Sequence, residues 1–229
     1  MKYCLVITAM ILLIQPLSAA TPIGKIVQIV GDVDLTSLST GKKSTPKIGS
    51  LVRTDHKIRT GKRSFTEILL NDGTKLLIRE ITVLNVSTLK RQESDPPTRI
   101  KLLTGKVRVS LKKVFGNRAL ILKTPTALAG VRGTDFGVIA SKFETRFLVY
   151  EGKVEVANEN ADIIKSYILI AREETSVKHN APPTRPVTVP ADMLREWFEH
   201  YDVDEENKSL IIRKKEEGFI DKLLRKRNF

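Results

Sequence analysis

Leu122-Lys-Thr-Pro-Thr-Ala-Leu-Ala-Gly-Val-Arg-Gly-Thr-Asp-Phe-Gly-Val138 is the stretch on which the reading of this chain turns. It joins two runs that read as strands, residues 119–123 and 134–140. Pro125 has no N–H and a fixed φ, so it ends the first run and pushes Thr124 into an extended conformation. Gly130 and Gly133 bracket Val131 and Arg132, which predicts a tight reversal that needs backbone freedom. Arg132 then sits on a small-residue loop between two apolar strands. Its five donors suit either of two jobs: gripping a ligand, or satisfying loop carbonyls beside Thr134 as an internal staple. The staple is the favoured reading, because most buried polar groups serve the local backbone.

Working outward, short apolar-alternating runs punctuated by turn residues fill residues 21–178. Asn71-Asp-Gly-Thr74 carries the Asp-Gly pair of a tight hairpin and joins predicted strands 65–70 and 74–78. Residues 106–111 alternate apolar and polar, as a strand with one buried face does. Gly24-Lys-Ile-Val27, Gly105-Lys-Val-Arg-Val109 and Gly152-Lys-Val-Glu-Val156 share one local form, a glycine turn feeding a strand. Their unequal spacing is not that of a regular repeat. The pattern predicts a mainly β fold, a single roll, sandwich or short solenoid.

The order of these blocks resembles the FecR domain. The residues that carry the resemblance are Thr124-Pro125, Val131-Arg132-Gly133-Thr134, Phe136 and Val138. They are supported upstream by Arg59-Thr-Gly61, Asn71 to Thr74 and Leu103 to Val107, and downstream by residues 145–150 and 151–156. The resemblance spans about residues 21–178 and implies a domain that lies outside the cytoplasmic membrane. In the family's best-known members that domain receives a signal from an outer-membrane receptor and passes it to a cytoplasmic sigma-factor regulator. The sequence is expected to depart from that arrangement, with no cytoplasmic domain ahead of its apolar leader. The motif residues Thr124, Pro125, Val131, Arg132, Gly133, Thr134 and Phe136 are expected to be structural.

The flanks read differently. Lys2, the apolar run 4–14 and Ser18-Ala19-Ala20 read as a secretory signal peptide over residues 1–20, which implies a periplasmic or secreted chain; an uncleaved membrane anchor is the less favoured alternative, given the short apolar run and the small-residue site. Cys4, the one cysteine of the 229 residues, falls inside it, so disulfide and thiol chemistry are excluded downstream. Residues 179–190 hold four prolines and read as an extended linker. Residues 191–229 read as a helical tail, with helices at 191–201 and 209–227. Met193, Leu194, Trp197, Phe198 and Tyr201 fall on one face at helical spacing. Trp197, Phe198 and Tyr201 are the candidate partner-docking residues, although such a stripe more often packs on its own domain.

The formal net charge is +13, and it is unevenly placed: residues 41–123 carry twenty Lys and Arg against six Asp and Glu. A basic face attracts an acidic protein, anionic lipid or an anionic envelope polymer. Without aromatic residues interleaved among the cations, nucleic acid is not an expected partner. No motif proposes catalysis. His56, His179 and His200 do not stand at metal-ligand spacing, and the 202–213 segment fails as a calcium loop at Asn207 and Arg213. The expectation is a non-enzymatic envelope module without cofactor or metal, binding an envelope protein or polymer. A structural envelope protein with a basic face is the alternative, and a polymer hydrolase is less favoured.

Overall fold

The computed structural model describes residues 20–88, 98–111, 120–195, 197–203 and 210–212. The predicted signal peptide and the predicted helix at 209–227 lie outside these residues, apart from Ala20 and 210–212.

The first half of the fold consists of β1 (Pro22–Val30), β2 (Val33–Ser37), β3 (Lys43–Ser44), β4 (Leu51–Arg53), β5 (His56–Thr60), β6 (Phe65–Leu70), β7 (Lys75–Ile78) and β8 (Val83–Thr88). The long β9 (Thr98–Ser110) leads into β10 (Leu120–Lys123), β11 (Ala127–Val131), β12 (Asp135–Ala140), β13 (Glu144–Glu151), β14 (Lys153–Asn158), β15 (Ser166–Ile170), β16 (Glu173–Lys178) and β17 (Val187–Thr188). Together these seventeen strands form one continuous hydrogen-bonded sheet.

That sheet is folded into two layers through β9. The C-terminal half of β9 pairs with β7 and β12 in the first layer, whose order is β4-β1-β6-β7-β9-β12-β13-β16-β17. Its N-terminal half pairs with β8 and β10 in the second, whose order is β3-β2-β5-β8-β9-β10-β11-β14-β15. Only β9 and β10 run parallel; the other ladders are antiparallel. One core fills the space between the layers. Ile26, Ile68, Val107, Phe136 and Phe147 come from the first layer, and Ile58, Leu84, Leu102, Leu122 and Val154 from the second, all fully buried. Each such side chain contributes about 1.5–3 kcal/mol.

The layers are joined by a recurring corner. At the edge shared by β1/β2, β5/β6, β7/β8 and the middle of β9, a left-handed residue precedes a buried hydroxyl: Arg63 before Ser64 and Ile81 before Thr82, with φ of 51° and 53°. The second half crosses at the opposite edge, where Gly133 (φ 59°) precedes Thr134. Each hydroxyl accepts the N–H of the residue after a glycine of positive φ. Asp32 N donates to Ser64 Oγ at 2.8 Å, Lys106 N to Thr82 Oγ1 at 2.9 Å and Lys153 N to Thr134 Oγ1 at 3.3 Å. Each also lies within donating distance of the carbonyl two residues earlier, Lys62, Glu80 or Arg132. The bend therefore leaves no orphaned backbone group at the site of the staple.

Two expectations are corrected. Residues 127–131 form β11, not a loop; the small side chains of Ala127 and Ala129 face the core, and the chain reverses only at Arg132-Gly133. The described part of the tail, 191–195, 197–203 and 210–212, does not form the expected long helix. Ala191–Met193 is a single 3-10 turn and Trp197–His200 a single α-turn, followed by β18 (Tyr201–Val203) paired antiparallel with β19 (Leu210–Ile212). The apolar spacing that suggested a helix is met by one turn laid on the sheet, and a β-branched pair such as Ile211-Ile212 favours a strand. The proline-rich segment is extended but not free-standing, since Val187–Thr188 adds to β16 and Val189 is buried.

Gly105 tests the corner. Its φ is +104°, and a methyl group there would lie 2.2 Å from Thr82 Oγ1 and 2.4 Å from Thr82 Cα. Gly105→Ala is expected to destabilise by about 3 kcal/mol or more, against about 1–2 kcal/mol for Thr82→Val, read by urea denaturation. Equal stability of Gly105→Ala and wild type would rule out the corner as a constraint.

Candidate functional site: the motif strands and the covered face

The motif residues lie at both edges of the fold. At one edge Thr124 turns the chain between β10 and β11. Its Oγ1 accepts from Ala127 N at 2.9 Å and meets Thr145 Oγ1 at 2.8 Å. Thr126 Oγ1 adds a bond to Val177 O at 2.9 Å and one to Thr145 Oγ1 at 2.8 Å. This buried threonine cluster ties the second layer to β13 and β16 of the first. Pro125, beside it, leaves no N–H to satisfy.

At the other edge each residue of Val131-Arg-Gly-Thr-Asp-Phe-Gly137 has a separate task. Val131 ends β11 in the core, Gly133 takes the left-handed turn and Thr134 staples it. Arg132 is exposed and lends its carbonyl to Thr134. Thr134 is thus a side chain that closes the turn, as the sequence suggested. Phe136 is fully buried in the core.

The outward residues of the same strand were not singled out in the sequence. Asp135 holds Arg108 by two bonds of 2.8 Å, to Nε and Nη2, and the guanidinium lies 4.1 Å from the centre of the Tyr150 ring. Asp135 thereby pushes the Arg108 pKa up, while burial pushes the Tyr150 hydroxyl to about 12. Gly137 leaves room for the tail: a methyl group on it would come 2.8 Å from Phe198 Cζ and 3.0 Å from Trp197 Cζ3. The signal available was the outward parity of Asp135 and Gly137 on a strand whose Phe136 and Val138 point in.

The tail covers this outer face of the first layer. Trp197, Phe198, Met193 and Val189 bury Ile139 and Leu148, with Tyr150 and Leu194 at the margin. Trp197 Nε1 donates to Glu174 Oε2 at 2.8 Å, and the two rings meet edge to face with centroids 5.1 Å apart. This corrects the docking expectation for Trp197 and Phe198, which are 0% and 8% exposed and are spent on the chain's own sheet. Tyr201 lies in β18.

Elsewhere, an open cavity of about 600 Å³ is lined by Asp32, Arg59, Thr60, Gly61, Lys62, Ile81, Val83 and Thr104. Its single carboxylate, with no histidine among the lining residues, does not make an acid–base pair. His56 packs beside Asp55, and burial holds its pKa below the usual value. Among the described residues no group of three His, Cys, Asp or Glu is placed to hold a metal ion, and no helix is long and apolar enough to cross a membrane.

Residues 56–155 match the family model described as FecR protein. Over that stretch the chain is similar to the FecR family. The stretch runs from β5 to β14 and takes in β9, the Thr134 corner and the Arg108–Asp135 pair. Among solved structures, the chain is similar to a candidate anti-sigma factor from Parabacteroides distasonis ATCC 8503, determined at 1.65 Å and at 2.50 Å. The 1.65 Å structure has a TM-score of 0.51 at 19% identity, over 66% of this chain and 70% of that one. The 2.50 Å structure gives the same score and identity and is covered over 69%. No curated protein matches the chain. At that identity the likeness is one of fold.

Trp197 is the single tryptophan, so its emission reports tail docking directly. Gly137→Val is expected to red-shift that emission in buffer while the far-UV signal of the sheet persists. Unchanged emission would place the tail elsewhere in solution. Thr134→Val is expected to lower the unfolding temperature by about 2–8 °C, at about 1–2 kcal/mol for the lost hydroxyl.

Proposed function

We propose that the chain is a sensory or signalling module of the cell envelope that acts by recognising a protein partner, without catalysis of its own. The observation that carries this reading is the FecR match over residues 56–155. Family resemblance associates that domain with reception of a signal outside the cytoplasm. The fold similarity to a candidate anti-sigma factor is in keeping with a regulatory role. The chemistry of the fold supports the same reading. Apart from the exposed Arg132, the motif residues are committed to corners and core, and the cavity beside Asp32 and Arg59 carries a single carboxylate and no histidine. Recognition then falls to the surface. Export is part of the proposal, resting on the leader pattern in residues 1–20.

Crosslinking in intact cells tests it, with a C-terminally tagged full chain, followed by capture and reconstitution with the purified partner. The expected result is one envelope protein, bound through high salt and recovered from the non-cytoplasmic fraction. Recovery from the cytoplasm overturns the location. Capture of nothing but anionic polymer, released by salt, overturns protein recognition.

A further inference from the structure

The two outer faces of the sheet are unequal. The tail covers the first layer around β12 and β13, whereas the outward side chains of the second layer are half-buried at Thr36, Lys57 and Asn85 and exposed at Lys43, Lys101 and Lys123. The ladder registers arrange those side chains in rows. Lys43 lies opposite Thr36, Thr36 opposite Lys57, Lys57 opposite Asn85, Asn85 opposite Lys101 and Lys101 opposite Lys123. All six point outward, because Leu35, Ile58, Leu84, Leu102 and Leu122 on the same strands point into the core. At about 4.8 Å per strand the row spans roughly 24 Å.

Arg99 and Arg59 stand in the neighbouring rows of this face. The one carboxylate on these strands' outward positions, Asp34, is nearly buried beneath Lys43 and Arg59, at 2.9 and 3.4 Å. Lys123 leans on Glu159 from a loop. Lys57, Arg99 and Lys101 have no carboxylate within ion-pair distance among the described residues. The basic excess of residues 41–123 is thus partly gathered on one face.

Beyond β10 the same face carries exposed apolar side chains, interspersed with the exposed Lys153 and Glu155 of β14. Following the registers, Lys123 lies opposite Leu128, and Arg99 leads through Ile121, Gly130 and Glu155 to Ile168. Leu128, Ile168 and Ile170 are 42%, 62% and 49% exposed. Ile168 and Ile170 stand on β15, which ends the layer.

We infer that the outer face of the second layer is a docking surface for an anionic phospholipid bilayer. The lysine row meets the headgroup charge, and the isoleucines of β15 enter the boundary of the acyl region. The combination selects this occupant. A soluble polyanion rewards the cations but gains nothing from exposed isoleucines. A single strand of nucleic acid would use aromatic platforms, and the outward positions of these strands carry none.

Sedimentation of the full chain with vesicles tests this, comparing phosphatidylcholine alone with a mixture holding about one third phosphatidylglycerol. Residues 1–20 are common to every variant, so the readout is the difference between variants. Wild type is expected to prefer the anionic vesicles. Lys57→Glu with Lys101→Glu is expected to cut that binding at least about tenfold. Ile168→Ser with Ile170→Ser is expected to cut it about threefold or more, with an unchanged unfolding temperature. Lys142→Glu with Lys178→Glu, exposed positions at the ends of first-layer strands, should stay within about twofold of wild type. Loss equal to that of the first pair in this control reduces the effect to net charge and overturns the assignment. So does wild-type binding by the isoleucine pair together with displacement by soluble polyphosphate, which would mark a polyanion site. Absence of any preference for the anionic vesicles overturns it outright.

Discussion

A hydroxyl that accepts the N–H following a left-turning glycine is the contact on which this architecture depends. A β-sheet folds over on itself only if the bend leaves no backbone donor or acceptor stranded. Ser64, Thr82 and Thr134 solve this in the same way, each bonding one crossing of the chain to its neighbour. The short side chain reaches only because the partner glycine carries no Cβ: a methyl group at Gly31, Gly105 or Gly152 would fall 2.2 to 2.8 Å from the bonded hydroxyl oxygen. Packing of the two layers into one core follows from these corners, since they fix which strands face each other.

The division of labour along Val131 to Gly137 follows from the same geometry. Thr134 must be small and polar to staple the corner. The strand that leaves it alternates sides, so Phe136 and Val138 enter the core while Asp135 and Gly137 face out. Asp135 meets Arg108 of β9 across the ladder, and Gly137 yields its space to Trp197 and Phe198. A motif whose residues resemble a binding loop is thereby accounted for by internal contacts.

Much of the fold could be read from the sequence, and the misreadings have physical causes. Alternation and turn residues located most strands, and the hairpin at Asn71 to Thr74 forms as its Asp-Gly pair dictates, with Thr74 N bonded to Asp72 Oδ1 at 2.8 Å. The three Gly-Lys steps were visible, but sequence does not show the hydroxyl that packs on Gly105 or Gly152, because Thr82 and Thr134 approach through tertiary contact. Residues 127–131 looked like a loop because alanine and glycine are weak strand formers. They are a strand because a narrow inner face suits the core between β10 and β14. Trp197 and Phe198 were correctly seen as one apolar cluster. Whether such a cluster faces a partner or its own sheet depends on Gly137, sixty residues earlier in the chain. The lysine row was legible only as an excess of charge, since register is what aligns it.

The position of β9 in both layers has a consequence for how the molecule bears load. Every path from the β1–β8 half to the β10–β17 half of the main sheet passes through ladders that β9 makes, with β7 and β12 on one side and β8 and β10 on the other. A pull between the halves therefore loads the ladders of β9 together with the core that both halves share. The halves are coupled mechanically as one spring with a common spine, so a force or contact applied at β15 is felt at β1 through the sheet itself.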